Sequence, residues 1–292
     1  MRQGLVALIG AWLLVGGCGS GSNPRSDVPD ARSDGGTSGA EDTGKDAASD
    51  GMTTDLGTAT DSNPATNACP GGLVGPGVVR IVKSGDAFSL TRDGAPYYIK
   101  GFCGQAFLNT AQRSGANSTR TYRSDGIGPI LEDAKNRCMT VLLGIELSQK
   151  PEDYTNTTYL DSKRAEVTRL LGSVKDHPAL LMWGLGNEIN HGADTQAAWT
   201  FVSELAQMIH TSDPNHPVIT VLAGANVTSI NNIVKWTNGI DAIGINSYDA
   251  VVNALSDVGK SNFQGPIIIS EWGPTGHWEA PKTPWRGRAL ER

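Results

Sequence analysis

The chain has 292 residues, enough for one large domain or two small ones. Its 18% charged and 6% aromatic content suits a globular protein, and the net charge of −6 argues against a nucleic-acid partner. The 36 glycines are concentrated near the start, so the chain reads as unlike segments.

Residues 1–17 read as a signal peptide: one Arg, an apolar run from Leu5 to Val15 too short to span a bilayer, then small residues. "VGGC" resembles a bacterial lipobox, which implies cleavage before Cys18 and lipidation of its thiol. The expected address is the bacterial cell envelope, lipid-anchored, periplasmic or outward-facing. Residues 18–69 read as a disordered tether. Positions 19–68 have no aromatic residue and no Ile, and their nine acids against three bases account for the chain's whole imbalance of −6. Such a segment buries too little apolar surface to offset its ordering entropy.

The folded part is expected over 70–292. "VVRIVKSGDAFSLTRDGAPYYIKGF" reads as three short extended segments with turns at "SGD" and "RDGAP". Strands and helices then alternate. Strands are predicted at 97–102, 118–122, 138–147, 179–188, 217–224, 240–248 and 265–273. Helices are predicted at 126–137, 159–177, 194–213, 226–237 and 249–260. In the third strand–helix unit Leu160, Val167, Leu170, Leu171 and Val174 form one stripe, closed by Pro178. Trp183 and Trp199 fall on apolar positions and read as core.

Repeated strand–helix units imply a parallel sheet with helices outside, an α/β fold of the (β/α)8 TIM-barrel type. About seven strands are present. The last βα unit is missing, because only 19 residues follow Gly273 and "PKTPWRGRALER" does not read as a strand. A doubly wound open sheet is the competitor, weakened by the lack of a Gly-rich loop after an early strand. No CxxC or paired-His spacing suggests a metal, and no cofactor is expected. Cys138 reads as a small core residue, and Cys69 with Cys103 as a possible bridge.

In such a barrel, chemistry sits where strands end. Those ends supply Asn187–Glu188, Tyr248, Glu271–Trp272 and Arg120. Two carboxylates at one rim are what glycoside hydrolysis needs. "HPALLMWGLGNE" (177–188) and "PIIISEWGPTGHW" (266–278) resemble the catalytic segments of clan A retaining glycoside hydrolases. "DGAPYYIKGF" and "GANSTRTY" (115–122) are similar to the barrel of glycoside hydrolase family 2. The resemblance implies Glu188 as general acid/base and Glu271 as nucleophile. It implies Arg120 and Tyr248 as partners of Glu271, and Asn187 as a ligand of the sugar 2-hydroxyl. Trp272, Trp278 and His277 would contact a carbohydrate substrate; Glu146 and His191 lie nearby as weaker candidates. The implied activity is retaining hydrolysis of a β-linked poly- or oligosaccharide. The same pair would serve transglycosylation, and a barrel short of a unit would also fit a carbohydrate-binding surface protein without activity.

Overall fold

A computed structural model of the chain describes residues 8–13, 73–248 and 250–274. The structure opens with strand β1 (Leu8–Leu13). A three-stranded antiparallel sheet follows, β2 (Val79–Ser84), β3 (Ala87–Arg92) and β4 (Ala95–Pro96). Its turns are the primed types that match strand twist. Gly85 alone has positive φ in the first, and Asp93 and Gly94 both do in the second.

The strands that follow are β5 (Ile99–Cys103), β6 (Ser118–Arg120), β7 (Thr140–Ile145) and β8 (Leu180–Asn187). Then come β9 (Val218–Ala223), β10 (Ala242–Tyr248) and β11 (Ile267–Gly273). Neighbours pair in parallel from β5 to β11 in sequence order, and these are the seven strands expected from the sequence. Helices α1 (Leu108–Arg113), α2 (Ile127–Asn136), α3 (Thr157–Val174), α4 (Gln196–Ser212), α5 (Val227–Trp236) and α6 (Val251–Val258) connect them. α1 has six residues, too short for a periodic signal, and the sequence reading missed it. Side-chain caps set three helix starts: Asn156, Thr195 and Asn226 each accept a backbone N–H three residues on.

Among the described residues no strand follows β11, as expected, and the eighth place is taken from the other end of the chain. β1 lies there, paired in parallel with β11 and with β5, and closes the barrel. An apolar run of this length fits a strand as well as a signal-peptide core, and periodicity does not separate them. Its pairing with β11 carries two register shifts.

Burial on both faces explains the apolar strands. On β7, Val141, Leu143 and Ile145 pack outward against helices while Leu142 packs inside the barrel. Val79 and Leu90 of the hairpin join that inner cluster. The hairpin therefore plugs the end of the barrel where strands begin. Val79 N–H donates to the Asn215 carbonyl at 2.8 Å, and Arg92 Nη2 to that of Pro178 at 2.8 Å, just before β9 and β8.

On β8 and α4, Trp183 and Trp199 are fully buried, as expected, and each indole N–H meets an aspartate: Asp213 at 2.8 Å and Asp194 at 2.6 Å. The cysteine reading is corrected. Cys103 is a buried thiol that donates to the Ser270 carbonyl at 3.3 Å, and Cys138 is the disulfide-bonded one. Cys103 ends a strand with its side chain inside the barrel, whereas Cys138 sits in the turn between α2 and β7. Cys18 and Cys69 lie outside the described residues, with most of residues 1–17 and all of 18–69.

Candidate active site

Two β-bulges build the site at the C-terminal ends of the strands. On β10, Ala242 is in the inner cluster while Ile243 and Ile245 pack outward, so Gly244 and Asn246 point in. On β11, Ile267 and Ile269 pack outward, and strict alternation would send Glu271 out as well. The register shifts between Ile245↔Ile269 and Asn246↔Glu271, so that Ser270 and Glu271 together oppose Asn246. One extra residue turns Glu271 inward. β8 does the same: Trp183 and Leu185 pack outward, the register shifts before Asn187↔Val221, and Gly186 has φ +76°. Asn187 is thereby aimed into the barrel.

Four strand ends now converge. Arg120 Nη1 donates to Glu271 Oε1 at 2.8 Å, and its Nη2 to Asn187 Oδ1 at 2.8 Å. Asn246 Nδ2 donates to Glu188 Oε1 at 2.7 Å and to Glu271 Oε1 at 2.8 Å. The two Oε1 atoms are therefore at most 5.5 Å apart, the sum of those two contacts. The Tyr248 hydroxyl donates to Glu271 Oε2. Asn187 Oδ1 also accepts from Asn246 at 3.2 Å, which leaves the Asn187 amino group turned from Arg120.

The two acids occupy different surroundings. Glu271 is buried, ion-paired and hydrogen-bonded on both oxygens. The Glu188 side chain is 22% exposed, and His191 Nε2 stands 3.5 Å from its Oε2. Burial works against the charge on Arg120, but Glu271, with smaller contributions from Cys103 and Tyr122, holds the guanidinium pKa above its ordinary value. Burial, and then the neighbouring Glu271 carboxylate, push the Tyr248 phenol far above its ordinary range. Tyr248 thus remains a donor at any working pH. The Arg120 guanidinium also lies over the Tyr122 ring, 4.7 Å from its centroid.

Among the residues expected from sequence, Arg120, Asn187, Glu188, Tyr248 and Glu271 come together. Trp272 is at the rim, 46% exposed. Glu146 is apart from them, paired with Arg123 at 3.1 Å on the exposed rim. His277 and Trp278 lie outside the described residues. Sequence reading missed Asn246. Its signal was a polar residue on the inward parity of "DAIGINSY". No three His, Cys, Asp or Glu side chains able to hold a metal ion cluster among the described residues.

Residues 133–278, half of the chain, match the family described as glycosyl hydrolases family 2, TIM barrel domain. A β-galactosidase from Leuconostoc mesenteroides is 25% identical over 142 residues, 45% of this chain and 13% of that protein. One from Enterobacter cloacae is 36% identical over 83 residues, 28% of this chain and 7% of that protein. The chain thus spans a small part of these relatives. Among solved structures, a β-galacturonidase from Eisenbergiella tayi superposes with TM-score 0.54 at 18% identity, over 73% of this chain and 41% of that one. A β-glucuronidase from Bifidobacterium dentium gives 0.53 at 18% identity, over 67% and 36%. These two likenesses concern the fold. From the family match the conclusion is direct: the chain belongs to glycosyl hydrolase family 2 and carries its TIM barrel domain.

Proposed function

We propose that this domain hydrolyses β-linked glycosides with retention of configuration, Glu271 attacking and Glu188 moving the proton. The observation that carries the reading is the shared donor. Asn246 keeps the two Oε1 atoms within 5.5 Å of each other, which fits the close carboxyl pair of a double displacement better than the wider pair that makes room for an inverting water.

In the first step Glu271, held by Arg120 and Tyr248, attacks the anomeric carbon. Glu188 gives its proton to the departing oxygen, and a glycosyl ester forms on Glu271. Glu188, now a carboxylate, takes a proton from water, which attacks the same carbon and frees Glu271. Asn187, its oxygen fixed by Arg120, offers its amino group to the sugar 2-hydroxyl. Trp272 offers an exposed indole face to a pyranose ring. The relatives' names point to galactosides, glucuronides and galacturonides as the first panel to assay.

The test follows release of an aryl group from each β-glycoside while NMR reads the anomer first formed. Retention is expected, and Glu271→Gln should lower kcat at least 10³-fold. An inverted first product, or full turnover by Glu271→Gln, would overturn the reading.

We also propose that Cys18 is lipidated after cleavage before it, which places the domain on the bacterial cell envelope behind a tether. "VGGC" and the acidic, aromatic-free stretch support this. Cleavage there would remove Leu8–Leu13, and with it β1 between β11 and β5. Mass spectrometry of the membrane-bound protein should find diacylated Cys18 as its first residue; an intact Met1–Val15 peptide would refute it.

A further inference from the structure

Resting on the hydrolase reading above, we propose that Asn246 is a positioning residue: one side-chain amide spaces the two carboxylates and selects the Glu188 oxygen that carries the proton. Its nitrogen has two hydrogens, and its two shortest contacts are Glu188 Oε1 at 2.7 Å and Glu271 Oε1 at 2.8 Å. The contact to Asn187 Oδ1 is longer, 3.2 Å.

The amide is not free to turn over. Ser270 Oγ donates to Asn246 Oδ1 at 2.8 Å, which fixes the oxygen on that side and the amino group toward the acids. Ser270 is inward by ordinary alternation with Ile268, and the bulge turns the next residue, Glu271, inward as well, so two successive residues of β11 meet Asn246. A flipped amide would set its oxygen against two carboxylates.

Selection of the proton site follows from what remains. Glu271 has both oxygens engaged, Oε1 by Arg120 and Asn246 and Oε2 by Tyr248. Glu188 has Oε1 held by Asn246, and Oε2 faces His191 at 3.5 Å. An oxygen that accepts an N–H is the carbonyl-like one, so the transferable proton sits on Oε2. The titratable groups around the pair are Arg120 on β6, Tyr248 on β10 and His191 on the turn after β8. Cys103 on β5 lies close enough to act electrostatically on both Arg120 and Tyr248.

The test uses the full chain with Asn246→Ala and the isosteric Asn246→Asp, which still gives Ser270 an acceptor. The pH profile of kcat/KM is measured on an aryl β-glycoside, alongside thermal unfolding. N–H donors favour the ionised form of a carboxyl, so their removal lets both acids keep protons to higher pH. Both limbs of the bell should move up, by about one pH unit in Asn246→Ala and further in Asn246→Asp, where a third carboxylate joins the pair. kcat/KM at the optimum should fall about 10²-fold. A merely structural role would lower stability and leave both limbs in place. If the unaltered chain turns over no aryl β-glycoside, the hydrolase reading falls and the role of Asn246 with it. If it does, and the folded variants keep its profile, the positioning role alone is overturned. Asn246→Asp carries the test should Asn246→Ala fail to fold.

Discussion

Arg120 and Glu271 form an ion pair of 2.8 Å with side-chain exposures of 2% and 6%. Taking both charges from water is costly, and Arg120 Nε has no hydrogen-bond partner in its buried position. Arg120→Met leaves Glu271 buried without its cation and should cost about 3–5 kcal/mol. Adding Glu271→Met should recover most of that loss, because neither charge is then stranded. Denaturant unfolding of the two singles and the double checks this. A double variant as unstable as the sum of the singles would deny that the charges are coupled.

Glu188 should matter in proportion to the leaving group. A dinitrophenolate departs without protonation, an alkyl oxygen does not. Glu188→Ala should therefore lose about 10²–10⁴-fold in kcat/KM on a poor leaving group and far less on a dinitrophenyl β-glycoside. Added azide should then yield the β-glycosyl azide. Equal losses on both substrates would place the proton donor elsewhere.

Asp213 ties the floor of the barrel together. Its carboxylate accepts from the Trp183 indole at 2.8 Å, from His216 Nδ1 at 2.8 Å and from the Asn215 N–H at 3.0 Å. Asp213→Ala strands buried donors and should cost about 2–4 kcal/mol. Burial by itself would raise this carboxyl's pKa, but His216 and Trp183 hold it below the usual carboxylate value. The contribution is therefore present above about pH 4 and lost as pH falls through the lower folded value. Chemical unfolding from pH 5 to 2 should show a flatter decline for Asp213→Asn than for the unaltered chain.

Tyr97 gives the opposite dependence. Its hydroxyl donates to the Asn117 carbonyl at 2.9 Å and meets Thr140 Oγ1 at 2.9 Å, and burial pushes its pKa up to about 12. The unfolded phenol ionises near 10, so stability is full below that pH and declines as pH rises to 12, by about 2–3 kcal/mol. Tyr97→Phe should be less stable at pH 8 and lack this slope. Parallel curves for the two proteins would remove Tyr97 as the cause.

Strands β7 to β11 were legible because each is buried on both faces and reads as a largely apolar run, whereas the polar β6 was read only as a short extended segment. Glu188 and Glu271 were legible because each ends such a run. Their company was less so. By alternation Asn187 and Glu271 belong on the outer face, with Leu185 and Ile269, and only the bulges turn them in. Gly186 was the one local hint of either bulge. Asn246 follows the ordinary alternation inward, yet a lone amide in an apolar strand carries no motif. The cysteines misled for a related reason: spacing says nothing of which thiol lies inside the barrel. β1 was read by its place in the chain, whereas its length and apolarity suit a strand equally.

Glu188 sits at φ +55°, a left-handed backbone that a long side chain adopts at a cost of about 1–2 kcal/mol. Asn or Gly would rest there with less strain. The side chain that the proposed chemistry needs is therefore the one the backbone least favours: Glu188→Gly should melt no lower than the unaltered domain while losing most of its activity on glycosides with poor leaving groups.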